Sequence, residues 1–152
     1  MIVAALLIII SFLLYILFAV DKTPGSISQT YYLLGSSGWL VQVVLIAVGM
    51  MLIIPWMERS REALQWLVFL ACGGLLFVGL APQFRLRLEG AVHYISAVVC
   101  CIATVAWQIA MGEWHHLTVF ALAAAVFSLA MPGCYMWCVE WAVIGSLFFV
   151  LL

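Results

Sequence analysis

The chain has 152 residues, of which 69% are hydrophobic and only 7% charged, with five basic and six acidic side chains and a formal net charge of −1. An ordinary soluble domain carries about 45–50% apolar and about 25% charged residues, so this chain cannot cover itself with a water-facing surface. With no basic run, no glycine-rich phosphate loop and no interleaved basic and aromatic residues, nucleic acid is excluded as a partner. The solvent around most of the chain is therefore expected to be lipid.

A hydrocarbon core about 30 Å thick takes about 20 residues of helix. Apolar runs of that order, separated by charged or turn-forming residues, predict spans over about 1–20, 38–57, 63–81, 91–111, 115–131 and 134–152. The expected fold is an all-α, polytopic transmembrane helix bundle of six spans forming a single domain over 1–152. Five spans is the alternative, because the fifth run is short before Pro132 and the sixth carries Glu140.

The first run, MIVAALLIIISFLLYILFAV, has no Lys or Arg before it and exceeds the 7–15 residues of a signal-peptide core, so it reads as a retained helix. DKTPGSISQTYYLLGSSG, the one long connection, reads as a loop outside the core, with Tyr31 and Tyr32 at headgroup level. The later connections, ERSRE at 58–62, APQFRLRLEG at 81–90, GEWHH at 112–116 and MPG at 131–133, are short and demand adjacent antiparallel helices. Arg59 and Arg61 fall on the side of the termini, and Lys22, Arg85 and Arg87 on the other, which tilts the orientation toward a cytoplasmic first loop.

Lipid tails are as apolar as leucine, so small residues and interhelical hydrogen bonds must hold spanning helices together. Candidates are Ala121 with Ala125, Ala124 with Ser128, and Ala71, Gly73 and Gly74. Ser96, Cys100, Thr104 and Gln108 step by four along the fourth span and read as a packing face. The five cysteines lie in apolar runs without CxxC spacing and read as small buried hydrophobes.

Ionisable groups within a bilayer cost at least about 2.5–3.5 kcal/mol at the midplane and are functional suspects. Glu140, His93 and Gln42 fall at similar shallow depth toward one face, below loops carrying Arg85, Arg87 and Glu89. These six are the candidate ligand-binding residues of a one-sided polar pocket for a membrane lipid, a hydrophobic small molecule or a partner, a second copy included. An alternative is a lipid-acting enzyme with Glu140 and His93 as acid and base; a further one is a transporter of an apolar solute. A hydrolytic set of Ser96, His93 and Glu140 needs three helices to converge. The midplane lacks the charges of an ion channel. No cofactor or metal is expected: His93 lies at the opposite face from His115 and His116, too far for a shared haem or zinc, and GEWHH reads as an interfacial loop.

The stretch FVGLAPQFRLRLEGAVHYISAVVC, 77–100, in which a proline-containing loop leads into a helix opening with His93, resembles a segment of small uncharacterised bacterial multispan membrane proteins and is similar to Frag1/DRAM-like families. That resemblance implies about six spans, a bacterial inner membrane, and roles in trafficking or lipid anchoring. It carries no catalytic residue onto this chain.

Overall fold

The computed structural model describes residues 1–131 and 133–152 and contains only helices among them. In chain order the α-helices are α1 (Ile2–Ala19), the single-turn α2 (Thr30–Leu33), α3 (Trp39–Arg59), α4 (Gln65–Leu80), α5 (Arg87–Met111), α6 (Trp114–Ala130) and α7 (Tyr135–Leu151), with 3-10 turns at Gly35–Ser37 and Glu62–Leu64 leading into α3 and α4. The long helices match the six apolar runs to within a few residues, and α5 starts earliest relative to expectation, taking Arg87 and Glu89 into its first turn. Pro132, expected to close the fifth run, lies outside the described residues.

Four segments are long and apolar enough to cross a membrane: Ile2–Ala19, Gly35–Arg59, Glu62–Leu80 and Arg87–Met111. Their outward faces are hydrocarbon, as are those of α6 and α7: Phe18 is 89% exposed, Leu88 78% and Leu129 85%. Conversely, polar Thr30, His93, Thr104, Gln108 and Ser146 are buried. An apolar outside around a partly polar inside is the arrangement a lipid solvent selects.

Packing runs α1 on α3, α3 on α4, α4 on α5 and α5 on α7, and α7 touches α1 to close a five-helix ring. α6 stands outside it, packed chiefly on α7 with Ala124 as its single buried residue. Glycines set the closest approaches. A Cβ at Gly74 of α4 would lie 2.7 Å from the Ser96 carbonyl oxygen and 2.9 Å from the Cys100 Cβ, so α4 rests on the backbone of α5. Gly79 of α4 meets Ile46 and Gln42 of α3 in the same way, and Gly145 of α7 meets the Phe120 ring of α6.

The Ser96 to Gln108 stripe is a contact face, as expected, but it serves two neighbours. Its upper half meets α4 at Gly74. At its lower end Gln108, fully buried, donates from Nε2 to Ser146 Oγ of α7 at 3.1 Å, while Thr104 donates to its own helix at the Cys100 carbonyl. Ala121 and Ala125, in contrast, are exposed, and only Ala124 of that group is buried against α7. Small-residue spacing recurs on more than one face of so alanine-rich a helix, and the partner, not the spacing, selects which face is used.

The two ends of the bundle are closed differently. At the end holding both termini, Trp107 Nε1 donates to Ser60 Oγ at 2.8 Å, and Ser60 Oγ donates to the Trp56 carbonyl at 2.6 Å. At the other end the long first connection folds inward: Ile27 and Thr30 are buried, and the Trp137 N–H donates to the Gly25 carbonyl at 2.9 Å. The expectation of a loop outside the core is thus corrected for residues 24–30, which form a lid over the ring.

Gly73 and Gly74 make a paired test of this packing. Gly74→Ala forces a methyl into α5 and should cost about 1–3 kcal/mol of stability in detergent unfolding. Gly73→Ala meets nothing within 4 Å and should be neutral or slightly stabilising.

Candidate functional site

Within the ring lies a partly open cavity of about 90 Å³, several times the roughly 10–15 Å³ that a water needs. Every ring helix contributes to its wall: Ile9 of α1, Leu45 to Trp56 of α3, Ala71 to Val78 of α4, Ala97 to Thr104 of α5, and Glu140 to Phe148 of α7, with Ile27 and Ser28 of the lid above. The wall is hydrocarbon and thiol apart from Ser28, Thr104, the Trp56 indole and Glu140.

Glu140 sits one and a half turns into α7, deeper in its helix than any other charged side chain. A carboxylate there needs a donor, because an unpartnered polar group in an apolar surround is strongly unfavourable. The lid supplies one: the Ile27 N–H donates to Glu140 Oε2 at 2.5 Å. Local bonds brace that turn of lid. The Thr30 hydroxyl donates to the Ile27 carbonyl at 2.5 Å, and the Gly25 N–H donates to Gln29 Oε1 at 2.5 Å. A backbone amide of the one long loop is thereby fixed over the one deep carboxylate.

Toward the far end of the cavity, Trp56 packs edge to face on Trp107 with ring centroids 5.4 Å apart. Its Nε1–H is buried and has no partner among the described residues. The chamber thus has an acceptor group near the lid and, in its wall toward the end holding the termini, Trp56 with an unpartnered donor, with hydrocarbon between them.

His93 occupies a separate and much smaller cavity of about 10 Å³, lined also by Gln42, Tyr31 and Pro82. That volume holds about one water. His93 is buried, its Nδ1 lies 2.8 Å from the Ala81 carbonyl, and because a carbonyl only accepts, Nδ1 carries the hydrogen. Phe84 covers the ring at a centroid distance of 5.0 Å. Ser28, Leu45 and Val78 line both cavities and partition them.

The six expected residues therefore divide into three groups at one end of the bundle. His93 and Gln42 share the small cavity, and Glu140 faces the large one. Arg85, Arg87 and Glu89 line neither. Arg85 is exposed, with its guanidinium 4.1 Å from the Tyr32 ring centroid and its N–H donating to Tyr32 Oη at 3.1 Å. Arg87 is exposed, and Glu89 accepts the Gln83 N–H at 3.2 Å, holding the loop before α5. Ser96, offered as a nucleophile, lies against Gly74 and lines neither cavity.

Reading the sequence did not single out Ile27, Ser28 or Trp56. The apolar Ile27 in a loop of Pro, Gly and Ser was the available signal for a lid. Nothing in the sequence distinguishes Trp56 from the interfacial tryptophans around it.

Breaking the lid contact should be visible in hydrogen exchange. An intramolecular hydrogen bond is worth about 0.5–1.5 kcal/mol. Glu140→Ala should then speed exchange of the Ile27 amide by roughly 2- to 10-fold, whereas Glu140→Gln keeps an acceptor and should retain most of the protection.

Comparison with protein-family models, with curated proteins and with solved structures finds no match for this chain.

Proposed function

We propose that this chain is a six-span membrane protein that binds an apolar or lipid-like molecule in the chamber of its five-helix ring, with a hydrogen-donating group of the ligand set against Glu140. The observation that carries the reading is the chamber itself: a partly open, almost wholly hydrocarbon space with one carboxylate in its wall and a loop over it. Apolar walls with few fixed polar groups are what small-molecule sites offer, the walls giving affinity and the polar groups orientation.

Six spans rather than four is supported by the helix ends. α6 and α7 have 17 residues each, about 25 Å of helix, at the lower end of what crosses a bilayer. Exposed aromatic residues begin both, Trp114 and Tyr135, as Trp39 begins α3 and Trp66 lies in the first turn of α4. With Trp39 and Tyr135 at one end of the bundle and Trp66 and Trp114 at the other, these rings fit two headgroup belts.

Binding is favoured over acid–base catalysis by the partition between the cavities. General acid and base must both reach one bound substrate, but Glu140 and His93 line different spaces, and His93 Nδ1 is committed to a backbone carbonyl.

The test is photo-cross-linking in reconstituted bilayers with a diazirine-bearing long-chain alcohol at low mole fraction. Cross-links are expected on inward residues such as Ala97, Cys101 and Val143. They should be abolished by Ala97→Phe, which fills the chamber, and weakened about tenfold or more by Glu140→Ala. Cross-links confined to lipid-facing positions such as Val98 and Ile102, unchanged in both variants, would show that the chamber takes no such ligand.

A further inference from the structure

The link between α5 and α6 carries a second constellation, at the end of the bundle opposite Glu140. α5 ends at Gly112, whose φ of 87° is left-handed, and the N–H groups of Gly112 and Glu113 turn back onto the Ile109 and Gln108 carbonyls. That reversal places Glu113 immediately before α6 and bends its carboxylate toward the helix's first turn. There His116 Nε2 lies 3.3 Å, and His115 Nε2 4.0 Å, from Glu113 Oε2. One donor atom from each of the three residues falls within 4.8 Å of the other two.

We infer that Glu113, His115 and His116 form a binding site for one divalent transition-metal ion of the zinc type. Zinc takes imidazole nitrogen at about 2.0–2.1 Å and carboxylate oxygen at about 2.0–2.2 Å, so tetrahedral donors around it stand about 3.3–3.4 Å apart. The His116 to Glu113 separation already has that value, and His115, 4.0 Å from the same carboxylate oxygen, must draw in to complete the set. Two imidazoles with one carboxylate suit zinc, nickel or copper, whereas calcium and magnesium demand oxygen ligands.

The site is held without being sealed. The His116 ring packs at 4.8 Å on Phe149 near the end of α7, which fixes its direction, and the two histidine rings stand 3.9 Å apart. His115 is exposed and the other two are partly so, leaving access for the ion and for water in its remaining position. The three-histidine site dismissed from the sequence stays dismissed, because His93 belongs to the other end. What the spacing concealed was that Glu113, not a third histidine, completes the donor set.

Zinc titration against a chromophoric indicator, on protein purified in detergent without a polyhistidine tag, decides the matter. The parent should bind one zinc per chain. Loss of a neighbour that merely orients a metal ligand costs about 10- to 100-fold in affinity, so Glu113→Gln and His116→Ala should each weaken binding by at least about tenfold. Glu62→Gln, an exposed carboxylate at the same end, should not. No zinc bound by the parent, or equal affinity in parent and variants, overturns the site. Circular dichroism checks that each variant keeps its helices; should His116→Ala lose them with its Phe149 contact, Glu113→Gln alone decides. Cross-linking of the long-chain alcohol is expected to be unaffected by these variants, so the two sites succeed or fail separately.

Discussion

Four segments of this chain are long and apolar enough to cross a membrane, and helices in lipid cannot be driven together by expelling water from their faces, because lipid is as apolar as they are. Close backbone contact and internal hydrogen bonds must do that work, and the structure places them where the helices meet. Gly74 seats α4 directly on the Ser96–Cys100 turn of α5, and Gly79 seats it on α3. Gln108 with Ser146 joins α5 to α7. Each such bond is worth only about 0.6 kcal/mol on average in membranes, so the ring depends more on the glycine contacts than on any single polar pair.

The same constraint explains the lid. Glu140, partly exposed one and a half turns into α7, lines an apolar chamber in which a carboxylate calls for a donor. The helical backbone offers none, since its N–H groups are already bonded within their own helices. A non-helical segment has free N–H groups, and residues 24–30 bring that of Ile27 to the carboxylate. The buried Ile27 side chain contributes apolar wall at the same point. Structure and chemistry thus share one element: the loop that satisfies Glu140 also closes the chamber over which Glu140 presides.

What was legible in the sequence was what hydrocarbon run length dictates. The six helices, their alternation and the one-sided placement of His93, Gln42 and Glu140 all follow from it, and the Ser96–Gln108 stripe was read as a packing face because four-residue steps of small groups permit little else. Lateral arrangement was not legible. Gln42 and His93 were brought together, yet Glu140 was set in a different cavity, because depth along a helix fixes one coordinate and leaves the rotation about its axis open. Ala121 and Ala125 failed for the same reason: their spacing permits contact, but α6 turns Ala124 to α7 instead. The inward fold of the first loop was hidden by its composition, which marks flexible surface segments in general.

Carbodiimide labelling in a lipid bilayer distinguishes a carboxyl enclosed in hydrocarbon from one at the headgroups. Of the six acidic residues, Asp21, Glu58, Glu62, Glu89 and Glu113 lie in loops or terminal turns, and only Glu140 lies within the ring. An apolar carbodiimide should modify Glu140 ahead of the other five, a water-soluble one should spare it, and prior incubation with the long-chain alcohol should protect it. Modification of Glu140 by the water-soluble reagent as fast as that of the loop carboxylates would mean that it faces water, and that the lidded chamber does not exist as described.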